Sequence, residues 1–317
     1  SILKSAVVNC VVLVACLIVV ETLFGGWLSK SHYGFLNIPR NVDRVFDVGG
    51  LYSGGGAIRY RRDRHGLRGA YDRLDTIDIL TIGGSTTNQQ YLDDDATWQA
   101  QLVRRFAAEG RSVEVVNAGI DGQSTIGHLV AFDKWFPAIP GLKPHYVLAY
   151  IGINDTAVKG REHYEAMEPR SRLRRLSRFL KNNSAFYNLY RILRGWLRAR
   201  EAQLVHGGHP PGAGSWIRAF PLSEESTRYA LNTELIEAYG MRVDRLIERI
   251  RQLGAEAIIV NQHFGSYRIR DGWVLGRSAG GAPPNVGAFG EVMPLNAIAM
   301  ERCRAKRALC IDLAHEL

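Results

Sequence analysis

Three short segments hold residues whose types could carry out acyl transfer, and each closes an apolar run. Gly83-Gly84-Ser85-Thr86-Thr87 follows Ile77 to Ile82, Asn117-Ala118-Gly119-Ile120-Asp121-Gly122 follows Val113 to Val116, and Gly152-Ile153-Asn154-Asp155 follows Tyr146 to Ile151. Ser85 offers a hydroxyl among small neighbours that leave room for an incoming carbonyl. Gly119 offers a backbone N–H free of side-chain cover and Asn154 an amide N–H; with the N–H of Ser85 they make the donors of an oxyanion hole. Taken alone, Gly-Gly-Ser-Thr-Thr is also good turn and helix-cap chemistry. A phosphate loop is excluded, since no Gly-Lys-Ser or Gly-Lys-Thr follows the glycines.

The elements that must position these segments read as alternating strands and helices. Candidate strands are Ile77 to Ile82, Val113 to Val116, Tyr146 to Ile151, Ala257 to Val260 and Leu309 to Leu313. Candidate helices are Thr97 to Ala108, Thr125 to Phe136, Ser223 to Leu253 and Asn296 to Lys306. Five strands with helices between them predict a three-layer α/β/α domain around a five-stranded parallel sheet. All strands of such a sheet end at one edge, so Ser85, Gly119 and Asn154 are expected to converge there.

These segments resemble the blocks of the SGNH (GDSL-type) serine hydrolases, over most of Ile77 to Leu317. The Gly-Asp-Ser nucleophile block is met by Gly83-Gly84-Ser85, with Gly84 in place of the Asp. The glycine block is met by Asn117-Ala118-Gly119, and the Gly-x-Asn-Asp block by Gly152-Ile153-Asn154-Asp155. The resemblance implies a flavodoxin-like sheet, a nucleophile at Ser85, and an oxyanion hole of Ser85, Gly119 and Asn154. It also implies a closing Asp-x-x-His, in which the His is the general base and the Asp orients it. Asp312-Leu313-Ala314-His315 has that spacing. Asp312 follows directly on the last strand, where relatives usually place a loop, so a second assignment stands beside it: Asp312 merely ends the strand and the dyad lies beyond Leu317. His65-Gly66-Leu67-Arg68-Gly69 resembles the lead-in of membrane-linked bacterial members with a GGSTT nucleophile.

By the same resemblance the substrate is an ester of an envelope glycan or lipid. The acyl group passes to water in an esterase or to a sugar hydroxyl in an O-acyltransferase. The Gly84 departure also admits a non-catalytic accessory subunit of a membrane protein complex. No cofactor and no metal are expected: His206 and His209 sit in a Gly/Pro loop without a third ligand nearby. His263 reads as a structural loop residue near the active edge.

The 317 residues are 46% hydrophobic and 22% charged, which excludes disorder, collagen and a small disulfide scaffold. The net charge of +9 is local. Arg161 to Arg200 holds eleven cations against three anions, within an insertion of about a hundred residues between the third and fourth strands. In it Leu173, Leu176, Phe179, Leu180, Leu189, Ile192, Leu193, Trp196 and Leu197 recur at helical spacing. That pattern fits an element lying on anionic lipid headgroups over about 170–200, or a solvated basic face. No nucleic-acid motif accompanies the charge, and no nucleic-acid partner is expected.

Ala6 to Val20 is apolar apart from Asn9, and a helix from Ser5 to Leu28 would be about 36 Å long, enough for a hydrocarbon core of about 30 Å. Lys4 and Lys30 bound it, Trp27 suits an interface, and Glu21 to Trp27 makes a poor signal-peptide cleavage site. The expected organisation is a lipid-embedded anchor over 1–30, an irregular lead over 31–75 and a hydrolase-like domain over 76–317 with a basic insertion at about 160–215. The expected location is a single pass through a bacterial inner membrane, with the domain outside the cytoplasm. Cys10 and Cys16 fall in the span; Cys303 and Cys310 either pair or remain two buried thiols.

Overall fold

A computed structural model describes residues 2–27, 38–51, 54–158, 172–187, 189–190, 193–194, 215–278 and 281–316. The chain forms two compact units, Ser1–Gly34 with Met167–Gly207, and Phe35–Ala166 with Gly208–Leu317.

In the first unit a helix covers Ile2–Phe24, and its part Lys4–Phe24 is long and apolar enough for a membrane span or a signal sequence. A second helix covers Arg172–Asn183. Arg161, Arg170, Arg191, Ile192, Trp196, Leu197, Arg198, Arg200, His206, His209, Leu28 and Lys30 lie outside the described residues.

The second unit begins with an antiparallel pair, β1 (Val42–Asp47) and β2 (Ala57–Arg62), in a stretch expected to be irregular. The composition hides it. β2 buries Ile58, Tyr60 and Arg62 in strict alternation, and a buried arginine breaks the hydropathy pattern that marks a strand.

The chain then runs through β3 (Ile79–Gly83), α1 (Ser85–Asn88), α2 (Trp98–Ala108), β4 (Val115–Asn117), α3 (Thr125–Val130), β5 (Tyr146–Ile151) and β6 (Ser215–Pro221). There follow α4 (Thr233–Gln252), β7 (Glu256–Asn261), β8 (Tyr267–Arg270), β9 (Trp273–Ser278), α5 (Phe289–Ala305), β10 (Leu309–Ile311) and α6 (Leu313–Glu316). Five of these strands pair in parallel in the order β4-β3-β5-β7-β10, the flavodoxin-like order. Every residue of β3 is buried, which is why this central strand reads as an unbroken apolar run.

Helices cover both faces of this sheet. Ile79, Val115, Leu148 and Val260 meet Trp98, Leu102, Val103 and Phe106 of α2. Val147, Ala149 and Ile259, which alternate with them, are fully buried on the opposite side, where α4 and α5 lie against β7 and against each other. A separate antiparallel sheet, β6-β9-β8, buries Phe220, Tyr267 and Val274 against Phe289 and Met293.

Three helices differ from expectation. The one expected over Thr125 to Phe136 is α-helical only to Val130 and continues as a π turn over Ala131–Trp135 and a 3-10 turn over Phe136–Ala138. The one expected over Ser223 to Leu253 is broken: Leu222–Arg228 forms 3-10 turns, and α4 starts only at Thr233, where Asn232 Oδ1 accepts from Leu235 N at 2.9 Å. The one expected from Asn296 begins at Phe289 and contains Pro294. Pro294 has no N–H for Gly290 O, and that carbonyl accepts from Ala230 N at 2.7 Å instead. Tertiary hydrogen bonding thus lifts the penalty that makes proline look like a helix boundary.

Cys303, buried in α5, is disulfide-bonded to Cys310 of β10, with Cα atoms 6.0 Å apart. Among the described cysteines only Cys10 and Cys16 are free thiols. Alkylation of the unfolded, unreduced chain should therefore modify two cysteines, and four after reduction, as read by intact mass. Cys310→Ser should cost about 2.5 kcal/mol of stability, the loop-closure entropy of so short a ring, as read by denaturant melts.

Candidate active site

The register aligns the strand ends that carry the chemistry. Gly83, Tyr150, Val260 and Ile311 lie in one row across β3, β5, β7 and β10, and Thr81 pairs with Asn117. The strand order reverses between β3 and β5, which is where open α/β sheets form their ligand crevice. Ser85 leaves β3 and Asn154 leaves β5 on the two sides of that point.

Ser85 is the first residue of α1 and is exposed, while Gly84 and Thr87 on either side of the turn are buried. Thr87 N and Asn88 N donate to Gly84 O at 3.0 and 2.9 Å, and this short turn leaves the Ser85 N–H without an intrahelical acceptor. Among the described residues Ser85 Oγ donates no hydrogen bond.

Gly84 has a local physical reason. A Cβ there would collide with Asn154 Nδ2, so the Asp of the family motif cannot occupy this position while Asn154 holds its place. Asn154 Nδ2 donates one hydrogen to Gln123 O at 2.8 Å and keeps a second for a ligand. Gly119 is under a stricter constraint, since a Cβ would lie 2.5 Å from Asn88 N and 2.8 Å from the Thr87 carbonyl carbon, both backbone atoms. Its N–H donates to Asn117 Oδ1 at 2.8 Å, so this donor is held inside its own loop.

The residues that brace these loops were not singled out from sequence. Arg62 is buried and donates to Gly66 O at 2.5 Å, to Asn88 Oδ1 at 2.6 Å and to Gly119 O, tying the lead to two site loops. Gln262, just past β7, donates to Thr86 Oγ1 at 2.9 Å and accepts from Ile153 N at 2.7 Å. It bridges the serine turn and the asparagine turn over the end of β5. Asp155 turns inward: it accepts from Thr125 Oγ1 at 2.5 Å and from Arg242 Nη2 at 3.3 Å. Burial pushes its carboxyl up to about 6, against the pull of Arg242 and Thr125. The visible signal for Gln262 was its place after a buried strand, in the same row as the other blocks.

Asp312 and His315 come together. His315 Nδ1 lies 2.8 Å from Asp312 Oδ1, which also accepts from Asn261 Nδ2 at 2.6 Å, while Asn261 Oδ1 accepts from Ala314 N at 2.9 Å. Burial raises the Asp312 carboxyl, but its bonds from His315 and Asn261 outweigh that and hold it below the ordinary range. The Asp312 hydrogen bond, followed by Glu225, raises the imidazole of His315 despite partial burial. His315 Nε2 faces Glu225 Oε2 at 3.4 Å, and among the described residues no hydrogen bond joins His315 to Ser85. β10 stands three strands from β3, about 14 Å at the usual spacing, so a base carried on β10 has to reach back over β5 and β7. His263 Nε2 is bonded to Tyr267 O at 2.8 Å, a loop contact.

Two outcomes follow. Gly84→Ala and Gly84→Asp should both displace the Asn154 amide and slow acylation of Ser85 about a hundredfold, the scale of losing one oxyanion donor, with thermal stability little changed. Stopped-flow acylation by a fluorophosphonate measures this; faster acylation in Gly84→Asp would show that the motif position is misread. Because Asp312 and Glu225 raise the pKa of His315 above the ordinary imidazole value, acylation should rise as pH climbs through that raised pKa. Glu225→Gln removes one of the two carboxylates and should move the midpoint of the pH profile to lower pH.

Comparison with known proteins follows the same residues. A family model described as the GDSL-like lipase/acylhydrolase family matches residues 81–239. Among solved structures the chain is similar to AlinE4, described as an SGNH-hydrolase family esterase, at 14% identity over 76% of this chain and 77% of that one, with a TM-score of 0.39. TesA is similar at 16% identity over 74% and 76%, with a TM-score of 0.37. The psychrotrophic esterase EstA from Pseudoalteromonas sp. is similar at 14% identity over 74% and 76%, with a TM-score of 0.37. No curated protein sequence matches the chain. The family model spans half of the chain and takes in the serine turn, the glycine loop and the Gly-x-Asn-Asp turn, and the chain therefore belongs to the GDSL-like lipase/acylhydrolase family.

Proposed function

We propose that this protein is a membrane-anchored serine acyl hydrolase that cleaves an ester of an envelope glycan or lipid. The observation that carries the reading is the exposed Ser85 hydroxyl at the switch point of the sheet, with the Asn154 amide packed directly against Gly84. In this reading Ser85 Oγ attacks the ester carbonyl and His315 Nε2 takes its proton. Asp312 holds Nδ1–H and stabilises the imidazolium. The Ser85 N–H, the Asn154 amide and the Gly119 N–H, once released from Asn117, receive the oxyanion. His315 then returns the proton to the departing alkoxide, and the acyl group passes to water, or to a sugar hydroxyl if the enzyme is an O-acyltransferase. The Cys303–Cys310 disulfide supports placing the domain in an oxidising compartment outside the cytoplasm, and the apolar helix Lys4–Phe24 supports an anchor.

A second reading, a non-catalytic accessory subunit, draws on two observations. His315 Nε2 is occupied by Glu225, and the Gly119 N–H is occupied by Asn117. Incubating the full-length protein with a fluorophosphonate separates the two readings. Covalent labelling at Ser85, lost in Ser85→Ala together with cleavage of short-chain aryl esters, is the expected result; an unlabelled Ser85 with ester cleavage unchanged by Ser85→Ala would leave the accessory reading.

A further inference from the structure

The first unit joins two sequence features that lie about 150 residues apart. Glu21, in the last turn of the apolar helix, accepts from Ser184 Oγ at 2.6 Å, from Ala185 N at 2.9 Å and from Phe186 N at 3.3 Å. These N–H groups open the helical stretch that follows the Arg172–Asn183 helix, so the Glu21 carboxylate serves as its N-terminal cap from a distant part of the chain. Trp27 Nε1 donates to the same carboxylate at 2.9 Å, and the Trp27 ring meets Phe179 edge-on at 5.9 Å. Gly26 N donates to Asn183 O at 2.8 Å. A carboxylate so close to the end of an apolar helix would be a liability in a membrane span; here each oxygen has donors at the point where the helix ends.

The helix fastened in this way is RLRRLSRFLKNN, with five cations and no acid. Its Leu173, Leu176, Phe179 and Leu180 recur every three or four residues and therefore share one face. All four are exposed, Leu173 at 78%. Among the described residues Trp27 touches the Phe179 end of this stripe, and all four side chains remain exposed. A cationic helix with an exposed apolar stripe, bound to the end of an apolar helix, has one occupant that fits both its charge and its place.

We infer that the Arg172–Asn183 helix lies in the anionic phospholipid headgroup layer of the membrane leaflet in which the Ile2–Phe24 helix ends, fastened there by Glu21. The inference rests on the reading of Ile2–Phe24 as a retained span. It does not depend on the catalytic assignment. Leucine and phenylalanine side chains enter the acyl boundary while the guanidinium groups meet lipid phosphates. The basic insertion then acts as a second membrane contact beside the anchor and limits how far the segments on either side of it can stand from the bilayer.

The test uses full-length protein with Cys10→Ser and Cys16→Ser, labelled with nitrobenzoxadiazole at Leu176→Cys and reconstituted in vesicles. In phosphatidylglycerol-containing vesicles the emission should shift to the blue, rise several-fold and be quenched by brominated acyl chains. In phosphatidylcholine alone the shift should be much smaller. Combined Arg174→Gln, Arg175→Gln and Arg178→Gln should abolish the lipid preference, and Glu21→Ala should return the probe to water-like emission while the span still resists carbonate extraction. Water-like emission in both lipids, or equal shifts in both, overturns the proposal. Protection that arises only when membranes containing other proteins are supplied assigns the stripe to a protein and also overturns it. Labelling of Ser85 by a fluorophosphonate in the same vesicles reports the catalytic reading independently.

Discussion

The active edge depends on backbone packed against backbone where a side chain would normally stand. Gly119 lies so close to the Thr87–Asn88 peptide that a single methyl would separate the two loops, whereas Gly84 faces the tip of the Asn154 side chain, which a methyl would displace. Hydrogen bonds then fix the spacing that the missing Cβ atoms permit: Ile120 N to Gly83 O at 3.0 Å, and Asn117 Nδ2 to Thr87 O at 2.6 Å. In this family the Asp beside the nucleophile is a motif residue, yet here a glycine is what the local geometry accepts. The Asn154 amide has taken up the room.

Much of this was legible in the sequence, for reasons that can be stated residue by residue. Ile79 to Gly83 is buried throughout and Tyr146 to Ile151 is buried apart from Tyr146 and, in part, Tyr150, so both appear as continuous apolar runs, and the small or polar residues after them mark the edge that holds the candidate site. The lead was less readable because Arg62 and Tyr60 fill inward positions of β2 that a hydropathy pattern expects to be aliphatic. The β6-β9-β8 sheet was missed because its exposed positions carry Arg218, Arg268 and Arg270, and guanidinium groups stack on Trp216 and Trp273 rather than on an obvious alternating core. Bracing residues such as Gln262 have no local signature. What defines Gln262 is a partner 176 residues away.

The electrostatics of the site divide into buried groups that hold loops and half-buried groups that could move protons. Asp155 and Arg242 are the first kind, with their charges turned away from the crevice into a closed set of hydrogen bonds with Thr125. Asp312, His315 and Glu225 are the second kind. An imidazole between two carboxylates is a strong base that is slow to give up its proton, and contact with a serine requires one of those carboxylates to yield.

Arg62 gives the lead a meaning that its position in the chain conceals. Its guanidinium is surrounded by carbonyl and amide oxygens of the serine and glycine loops, with the hydroxyl of Tyr60 at 2.5 Å. Desolvation lowers the pKa of this cation, and the hydrogen bonds it makes to those oxygens offset the cost of burying it. A truncated protein beginning at the first strand of the parallel sheet would keep every residue of the family's motifs and still lose the keystone behind them. The unit that holds the serine and glycine loops in place therefore reaches upstream of the motifs, at least to Arg62 in β2 and to β1 paired with it.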